Sequence, residues 1–465
     1  MKILNKMWAW VDDRTGLSDL VKPLMDHPVP RKAQWWYVFG SATMFCLVLQ
    51  VVTGAALALM YQPSAETAFD SLKYISEEAV LGSWLRGLHY FGASGMILMM
   101  GIHMIRVYIM AAYKFPREMS WLTGVALLGL TIAMGFTGQL LRWDDTGVWS
   151  TVVAAEQMGR IPLVGTAVAQ FLMGGETVGG HTLSRFFAYH VFFIPGLLFG
   201  IVALHVYLVV RNGISEPPVA GQPVDPKTYR KWYHDLLKKD GVPFFPDAAW
   251  RDVVFSVVLV AIISILAFFI GAPELTAPPD PTAINVNPKP DWYLSWLFAL
   301  FALMPPEIEN YVMFLGPIVV TFLLLALPFL SNSGERHPLR RPWAIAGVIF
   351  TVTMIGVLTM TGSKAPWSPN FDVQPLPASV TNSSDPQVLD GAQLFYKKGC
   401  LYCHKINEYG GLRGPDLTDV ENRLTKSELV IRIVNGGKDM PAFGGSLSDK
   451  ELNAIIAFLE VDKKQ

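Results

Sequence analysis

The sequence predicts an all-α protein in which a bundle of seven transmembrane helices is followed by a small α-helical domain. Of its 465 residues, 52% are hydrophobic and only 16% are charged, which is too apolar for a soluble enzyme of this length. Stretches of about 20 apolar residues recur along the chain, and the part after residue 361 is polar. We therefore expect a lipid membrane as partner, and no nucleic acid.

Seven windows are long enough to cross a hydrocarbon core of roughly 30 Å. They lie at 37–60, 86–112, 120–141, 186–210, 252–271, 311–330 and 343–361. Two further apolar stretches do not qualify, because 148–173 is interrupted by Glu156 and Arg160 and because 294–304 is short. Both predict interfacial hairpins or half-buried helices. The N-terminal segment lacks the apolar core of a cleavable signal peptide, so we expect the first window to direct insertion.

The lysines and arginines between the windows predict the orientation of the chain. They cluster before the first window and in every second connection: Arg31, Lys32, Lys114, Arg117, Lys227, Arg230, Lys231, Lys238, Lys239, Arg336, Arg340 and Arg341. The alternate connections are acidic or neutral, as in GAPELTAPPDPTAINVNPKP. We therefore expect a multi-pass protein of a prokaryotic cytoplasmic membrane with a cytoplasmic N-terminus. Seven spans then place everything after residue 361 on the outer, periplasmic side.

Two windows carry a histidine near each end, and ionisable residues inside a membrane normally mark function. His89 and His103 are 14 residues apart, so they lie about 40° apart on one helix face and are separated by roughly 21 Å of rise. His190 and His205 are 15 residues apart and nearly share a face. A single buried histidine is more often a packing residue, but four in this register predict two stacked His/His sites. Imidazole pairs are axial ligands of haem iron, so we expect two non-covalent b haems.

Glycines on two other windows repeat this interval. Gly40 and Gly54 are 14 residues apart in the first window, and Gly124 and Gly138 are 14 apart in the third. Glycine in membrane helices usually serves helix packing. The match to the histidine interval favours instead a clearance that admits the flat haem.

The polar C-terminal part contains GCLYCHK. Cys400, Cys403 and His404 form C-x-x-C-H, the attachment motif for a covalent haem c whose iron the histidine ligates. Met440 is the only methionine after the linker and lies 36 residues past His404, which suits the second axial ligand. The flanking segments are typical of the helices of a class I cytochrome c. A redox CxxC pair or a zinc site is the alternative.

Several features together resemble cytochrome b of the cytochrome bc complexes, the quinol:cytochrome c oxidoreductases. They are the histidine pattern, the glycine pairs, LRWDDTGVWS after the third window and PDWY at 290–293. Seven rather than eight windows and the 15-residue interval are similar to cytochrome b6 followed by subunit IV, here in one continuous chain. The resemblance implies a cytochrome b6-like di-haem domain at 1–215, a subunit IV-like domain at 216–361, a linker at 362–386 and a cytochrome c domain at 387–465.

The resemblance also implies roles for individual residues. His89 and His190 would bind the haem nearer the outer face, and His103 and His205 the haem nearer the cytoplasm. The family's outer quinol-oxidation site uses a PEWY segment, which is matched here by Pro290, Asp291, Trp292 and Tyr293. Asp291 and Tyr293 are then the expected catalytic residues, and Asp291 would accept a quinol proton. Taken alone, PDWY is equally typical of a turn that enters an interfacial helix.

The family's inner quinone site would involve the start of the fifth window. There Arg251 would hold an anionic quinone and Asp252 would deliver a proton, although boundary charges that snorkel to the membrane surface are the alternative. Arg86, Arg106 and Arg211 lie close to the histidines and would pair with haem propionates, unless they only anchor the helices.

Some residues depart from the family pattern. Val38 stands where cytochrome b6 attaches an additional haem through a cysteine, so no third membrane haem is expected. Cys46 is the only remaining cysteine, so a Rieske-type iron-sulfur protein must be a separate partner. PDWY in place of PEWY resembles cytochromes b of organisms that use menaquinone, which favours menaquinone over ubiquinone. Arg142 stands where the family often has the proline of LPWD.

The implied function is quinol oxidation at the outer face in a protonmotive Q cycle, within a homodimeric complex. One electron would pass through the iron-sulfur protein and the fused c domain to a soluble or membrane cytochrome c or a terminal oxidase. The other would cross the membrane through the two b haems to quinone. The alternative is a non-bifurcating di-haem conduit for a quinone-linked dehydrogenase or reductase. A haem sensor or a transporter would need an open coordination site, a signalling domain or a midplane substrate site.

Overall fold

A computed structural model describes residues 2–280, 288–381, 383–437 and 440–463. The chain divides into two compact units. The first comprises the described residues of Met1–Asp280 and Pro305–Ile355, and the second those of Pro281–Met304 and Gly356–Gln465.

Seven helical spans in the described residues are long and apolar enough to cross a membrane, which confirms the predicted bundle. They are α3 (Phe39–Ala58), α5 (Gly82–Ile109), α6 (Glu118–Leu140), α9 and α10 (Gly180–Ala188 and Ile194–Asn212), α12 (Ala249–Phe269), α14 (Pro306–Leu330) and α15 (Pro342–Lys364). Single π turns, Tyr189–Phe193 and Phe244–Ala248, join α9 to α10 and precede α12. At about 1.5 Å per residue, each span crosses a hydrocarbon core of roughly 30 Å.

Shorter helices connect or precede the spans. They are α1 (Lys2–Thr15), α2 (Leu17–Met25), α4 (Ala68–Glu77), α7 (Asp145–Gly159), α8 (Gly165–Met173), α11 (Tyr229–Asp240) and α13 (Ser295–Ala302). The interrupted stretch at 148–173 forms α7 and α8, and the short stretch at 294–304 forms α13. Strands β1 (Pro28–Pro30) and β2 (Gly241–Pro243) pair antiparallel, with Val29 opposite Val242.

Close packing of α5 against α3 and α12 forms the centre of the first unit. Cys46, Leu88 and Ile263 are buried in one apolar cluster there. A Cβ atom on Gly87 would lie 2.9 Å from the carbonyl oxygen of Ala267, so only glycine allows α5 and α12 to approach this closely. The helix that carries His89 and His103 is thereby held on two sides.

A buried ionic cluster fixes the segment after α10. The carboxylate of Glu216 accepts hydrogen bonds from Arg336 and, at 2.6 Å, from the hydroxyl of Tyr229. Arg117 donates from Nε to the carbonyl oxygen of Gly213 and from Nη1 to Tyr229, both at 2.8 Å. Burial raises the pKa of Tyr229 and keeps its hydroxyl protonated. Removal of one partner would leave an uncompensated buried charge, at a cost of about 3–5 kcal/mol.

The end of the chain folds around its own apolar core. Its elements are α16 (Ala378–Thr381), α17 (Pro386–Lys397), α18 (Cys400–Cys403), α19 (Lys426–Asn435), α20 (Asp449–Leu459) and a two-stranded pair, β3 (Lys405–Ile406) with β4 (Tyr409–Gly410). Helices α17 and α20 cross where Gly391 lies against Ala454, since a Cβ on that glycine would be 2.0 Å from the alanine carbonyl oxygen. Phe395 and Phe458 pack beside the crossing, with ring centroids 5.7 Å apart.

Candidate functional site

The four membrane histidines form two pairs between α5 and the α9–α10 span. The rings of His89 and His190 have centroids 6.2 Å apart and planes at 71°. At this separation the two imidazoles would be able to hold one metal ion between them. His103 and His205 are close enough to interact electrostatically, which makes them the second pair.

A π turn explains the unequal intervals between the histidines. His190 lies within Tyr189–Phe193, where the helix takes up one extra residue. The 15-residue interval from His190 to His205 therefore gives nearly the register that the 14-residue interval gives on the regular helix α5. The sequence showed the longer interval but not the π turn that accommodates the additional residue.

Each of the four predicted glycines faces one histidine. A Cβ on Gly54 would lie 3.1 Å from the ring of His89, and one on Gly138 would lie 2.7 Å from the ring of His190. At the other level, the corresponding distances are 3.1 Å from Gly40 to His103 and 3.7 Å from Gly124 to His205. At Gly40, Gly54 and Gly138 the missing Cβ thus makes room for an imidazole, whereas a Cβ on Gly124 would lie at an ordinary contact distance from His205. The clearance for haem stays a prediction. The four glycines also assign the histidines to the same two pairs.

Three of the histidines have a threonine hydroxyl at Nδ1. Thr53 lies 3.0 Å from His89 Nδ1, Thr123 lies 2.8 Å from His205 Nδ1, and Thr137 lies 3.1 Å from His190 Nδ1. A hydrogen bond at Nδ1 fixes the ring and directs Nε2 toward a ligand site. These threonines were not predicted from the sequence.

The three predicted arginines differ in their partners. Arg86 donates to Ser76 Oγ at 3.1 Å and to the carbonyl oxygen of Pro273 at 2.5 Å. Arg211 is exposed and donates to the hydroxyl of Tyr207. Arg106, in contrast, lies 3.6 Å from the ring centroid of Tyr37, and its Nε and Nη2 are buried without a hydrogen-bond partner among the described residues.

Buried guanidinium donors without partners are energetically costly and indicate an anion that completes the site. Arg106 follows His103 by one helical turn, at the level of the second histidine pair. A haem propionate, which is a carboxylate on the cofactor's edge, fits this donor set. Together with the imidazole pairs and the glycine clearances, the residues present fit haem.

The C-x-x-C-H motif forms a short helix and the turn that follows it. Cys400 and Cys403 lie at the two ends of α18, and His404 follows in an extended conformation with its Nδ1 2.9 Å from the carbonyl oxygen of Pro415. Since a carbonyl only accepts, Nδ1 carries the proton and Nε2 is free to ligate iron. Met440 packs against the same apolar core as Cys400.

Both thiols of the motif lie in surroundings that raise their pKa. Burial raises the pKa of the Cys400 thiol to about 11, and burial also raises the pKa of the Cys403 thiol. Redox-active and metal-binding cysteines require a lowered pKa, because the thiolate is the reactive form. Neither Cys400 nor Cys403 has such a lowered pKa in this environment.

The PDWY segment forms a turn that enters α13. The backbone N–H of Leu294 donates to the carbonyl oxygen of Asp291 at 2.9 Å, and the hydroxyl of Tyr293 donates to the carboxylate of Asp291 at 3.1 Å. Trp292 is 43% exposed and stands edge-on to the ring of Tyr293. The predicted acid and tyrosine are thus in direct contact, while Pro290 precedes the turn.

The end of α15 holds this turn. Lys289 donates from Nζ to the carbonyl oxygen of Ser363 at 3.1 Å. A Cβ on Gly362 would lie 2.3 Å from the carbonyl oxygen of Ser295, so glycine is required for the close approach of α15 to the start of α13. The aromatic pair of Phe298 and Trp367 packs beside it.

The two residues predicted for the inner quinone site contact different parts of the protein. The carboxylate of Asp252 accepts a 2.6 Å hydrogen bond from the hydroxyl of Ser41 on α3. Arg251 lies over the ring of Trp250 at 4.8 Å and donates to the carbonyl oxygen of Asp247. The two side chains form no direct ion pair, although the charge of Arg251 acts on the carboxylate of Asp252.

Arg142, which departed from the family pattern, has a defined role in the structure. Its guanidinium donates to the carboxylate of Asp144 at 2.5 Å and to the carbonyl oxygen of Glu274 at 2.8 Å. The same carboxylate accepts the backbone N–H of Thr276 at 3.0 Å. Arg142 and Asp144 thus clamp the segment that leads along the chain to PDWY.

The fold and these sites define a class of protein: a membrane-bound electron-transfer protein that uses haem. Comparison with known families agrees. Residues 24–213 match the family described as Cytochrome b/b6/petB, and residues 278–378 match Cytochrome b(C-terminal)/b6/petD. Residues 386–459 match Cytochrome C oxidase, cbb3-type, subunit III.

Similar proteins cover most of the chain. The menaquinol:cytochrome c reductase cytochrome b subunit of Geobacillus thermodenitrificans is 40% identical over 223 residues, which are 46% of this chain and 100% of that protein. Cytochrome b of Allochromatium vinosum is 32% identical over 70% of this chain and 80% of its own length. Cytochrome b/c1 of Bradyrhizobium diazoefficiens is 29% identical, and the aligned region covers 78% of this chain and 51% of that protein.

A solved structure described as Hyperthermophilic respiratory Complex III matches with a TM-score of 0.65 and 27% identity, over 76% of this chain and 91% of that one. The chain therefore belongs to the cytochrome b family, as a cytochrome b of the bc-complex type continuous with a cytochrome c domain. The resemblance found in the sequence is confirmed, and haem cofactors and an oxidoreductase role follow from it.

Proposed function

We propose that this chain is the cytochrome b and c subunit of a menaquinol:cytochrome c oxidoreductase that works by a protonmotive Q cycle. Quinol would be oxidised at the outer face, and electrons would both cross the membrane and leave through the fused c domain. The observation that carries the proposal is the combination of two histidine pairs at two levels with PDWY in one chain. The menaquinol:cytochrome c reductase subunits among its relatives support menaquinone as the substrate.

Bound haem would supply one-electron oxidation and reduction at each histidine site. The chain itself would hold the haem nearer the outer face with His89 and His190, and the haem nearer the cytoplasm with His103 and His205. Arg106 would hold a propionate of the latter with its two unpaired donors. Cys400 and Cys403 would bind haem c covalently, and His404 and Met440 would hold its iron.

At the outer site, Asp291 would accept a proton from quinol. Its carboxylate is partly buried and accepts the hydroxyl of Tyr293 at 3.1 Å. The tyrosine orients the acid and supplies a second polar group for a quinol hydroxyl. The exposed ring of Trp292 offers an apolar surface for the quinone head.

At the inner site, Asp252 would deliver a proton to quinone. The hydroxyl of Ser41 holds its carboxylate at the α3–α12 contact. Arg251 lies at the start of the same span and would stabilise negative charge on the reduced quinone. Cytoplasmic protons would be taken up here, in the orientation predicted by the basic connections.

A complete cycle requires partners. A Rieske-type iron-sulfur protein would accept the first electron, since the chain's three cysteines leave only Cys46 after the C-x-x-C-H motif is assigned. A soluble or membrane cytochrome c or a terminal oxidase would accept electrons from the c domain. We expect a homodimeric complex in a prokaryotic cytoplasmic membrane, with the c domain on the periplasmic side.

The test is oxidant-induced reduction of the b haems in the purified complex. With menaquinol present and the inner site inhibited, addition of an oxidant should increase b-haem reduction, because a bifurcating site reduces the b haem only when the other electron is removed. An inhibitor of the outer site should abolish this. A non-bifurcating conduit would show no increase, which would contradict the proposal.

A substitution in PDWY tests whether this segment takes part in quinol oxidation. Asp291→Asn should lower quinol turnover by about 100-fold, because it removes the proton acceptor while leaving haem content unchanged. Asp372→Asn, at an exposed carboxylate of the same unit, is the matched control and should keep full turnover. Normal turnover in Asp291→Asn would refute this role.

A further inference from the structure

Three of the four histidine sites share a Thr-Gly dipeptide, and the fourth site lacks it. Thr53, Thr123 and Thr137 each immediately precede the glycine that faces the same histidine, so three sites read Thr-Gly. At His103 the corresponding dipeptide is Phe39-Gly40. No hydrogen bond to the His103 ring is found within the part of the chain that the structure describes.

The backbone fixes the direction of the three hydrogen bonds. Each threonine hydroxyl also contacts the carbonyl oxygen four residues earlier, at 2.7 Å for Thr53, 2.9 Å for Thr123 and 2.8 Å for Thr137. A carbonyl only accepts, so the single hydroxyl proton is committed to the backbone. Toward the imidazole the hydroxyl oxygen can therefore only accept, and the ring N–H of His190 and of His205 also has a backbone carbonyl acceptor, that of Met134 and of Ser120. Nδ1 then carries the proton, and Nε2 is the free nitrogen.

Such a bond changes the ligand as well as its orientation. Withdrawal of the Nδ1 proton toward an acceptor raises the basicity of an imidazole that ligates a metal through Nε2. A more basic ligand stabilises ferric over ferrous iron and so lowers the reduction potential. The pair of His89 and His190 has two such acceptors, whereas the pair of His103 and His205 has one.

We propose that Thr53, Thr137 and Thr123 are positioning residues whose unequal distribution, two at the outer pair and one at the inner, makes electron transfer from the outer to the inner haem favourable. The inference rests on the haem assignment of the proposed function. Arg106 acts in the same direction, because its charge interacts with His103 and a positive charge stabilises the reduced centre.

The test is a redox titration of the two b haems in the full-length protein, with the electron paramagnetic resonance g values of the oxidised haems as a second readout. Thr137→Val and Thr53→Val should each raise the potential of the outer haem alone and shift its g values. We expect the equilibrium constant for electron transfer between the two haems to change at least tenfold. This corresponds to a change of 59 mV in the difference between their potentials. Thr123→Val should raise the inner potential alone and widen the gap.

Two controls separate this effect from simple packing. Thr43→Val removes a threonine on α3 that makes the same bond to a carbonyl four residues earlier, at 2.8 Å to Phe39, but has no hydrogen bond to a histidine among the described residues. It should move neither potential. Thr137→Ser keeps the hydroxyl and should retain the native potential. A variant that shifts both haems equally would overturn the inference.

The fourth site allows a gain-of-bond experiment that holds even if the valine variants lose haem. Phe39→Thr supplies the missing acceptor to His103 and should lower the inner potential, whereas Phe39→Val, which has the same shape without a hydroxyl, should not. Equal potentials in these two variants would overturn the inference. Failure of the haem assignment is distinguishable, because His190→Ala would then retain both b haems.

Discussion

The membrane bundle and the C-terminal domain position their histidines by opposite means. In the C-terminal domain, His404 lies one residue after Cys403, and the loop that holds its Nδ1 is only 11 residues further on. In the bundle, His89 and His190 meet across 101 residues, and each is fixed by a glycine and a threonine from a third helix. A covalent site can be built from one local segment, whereas a non-covalent site depends on the packing of the whole bundle.

The largest expected effect is on the non-covalent site. His190→Ala removes one of the two proposed iron ligands and should cost the chain one b haem while the covalent haem c remains. A pyridine haemochrome spectrum of the purified protein measures both. His181→Ala, at an exposed position in the first turn of α9, is the matched control and should retain two b haems. Two b haems in His190→Ala would refute the pairing with His89.

Glycine contacts should matter almost as much in the bundle. Gly138→Val places a branched side chain where even a Cβ would lie 2.7 Å from the His190 ring, so the ring must move and the outer b haem should be lost. Gly129→Val, on the same helix α6, meets nothing within 4 Å of its Cβ and is the control. Haem content measured as above should fall only in the first variant.

A smaller effect is expected at the clamp, because it holds a connecting segment and no cofactor. Arg142→Gln removes the bonds to Asp144 and Glu274 and should lower quinol turnover by about 10- to 100-fold through misplacement of the segment that leads to PDWY, with haem content unchanged. Arg160→Gln removes an exposed ion pair with Glu309 and should have little effect. Loss of haem in Arg142→Gln would contradict a role confined to the quinol site.

The smallest effect concerns the stability of the c domain. Hydrogen bonds from the backbone N–H of Ser448, together with Lys398 and the Ser448 hydroxyl, lower the pKa of Glu451 to about 2. A carboxylate whose pKa is lower in the folded than in the unfolded state stabilises the fold at pH values above about 4.5. This stabilisation is lost as the pH falls toward 2.

Glu451→Gln should therefore lower the melting temperature of the domain at pH 7. The difference from the native protein should shrink below pH 4.5 and vanish near pH 2. Melting followed by haem c absorbance measures it, and Glu408→Gln, at an exposed position outside the helix cap, is the control. A difference that grows as the pH falls would contradict the assigned cause.

Much of the fold was predictable because the signals are periodic or local. Seven apolar windows predicted seven spans, and C-x-x-C-H is complete within five residues. The 14-residue interval placed His89 and His103 on one face of α5 without knowledge of any partner. In contrast, the sequence could not show that Asp291 and Tyr293 would contact each other, although it singled out both.

Contacts between distant segments were not predictable. Arg142 stands 132 residues before Glu274, and no local pattern links the two. The threonines that contact the histidines look like ordinary residues of membrane helices, although the repeated Thr-Gly dipeptide is a signal that could have revealed them. The glycines were recognised from their interval, but only the structure shows that they face the imidazoles.

The most direct measurement of the central claim is the haem content of the purified chain. Acid extraction followed by pyridine haemochrome spectra counts extractable haem b and covalent haem c separately. Two b haems and one c haem per polypeptide are predicted from the two histidine pairs and the single C-x-x-C-H motif. Fewer than two b haems would contradict the paired-histidine sites and the transmembrane electron path built on them.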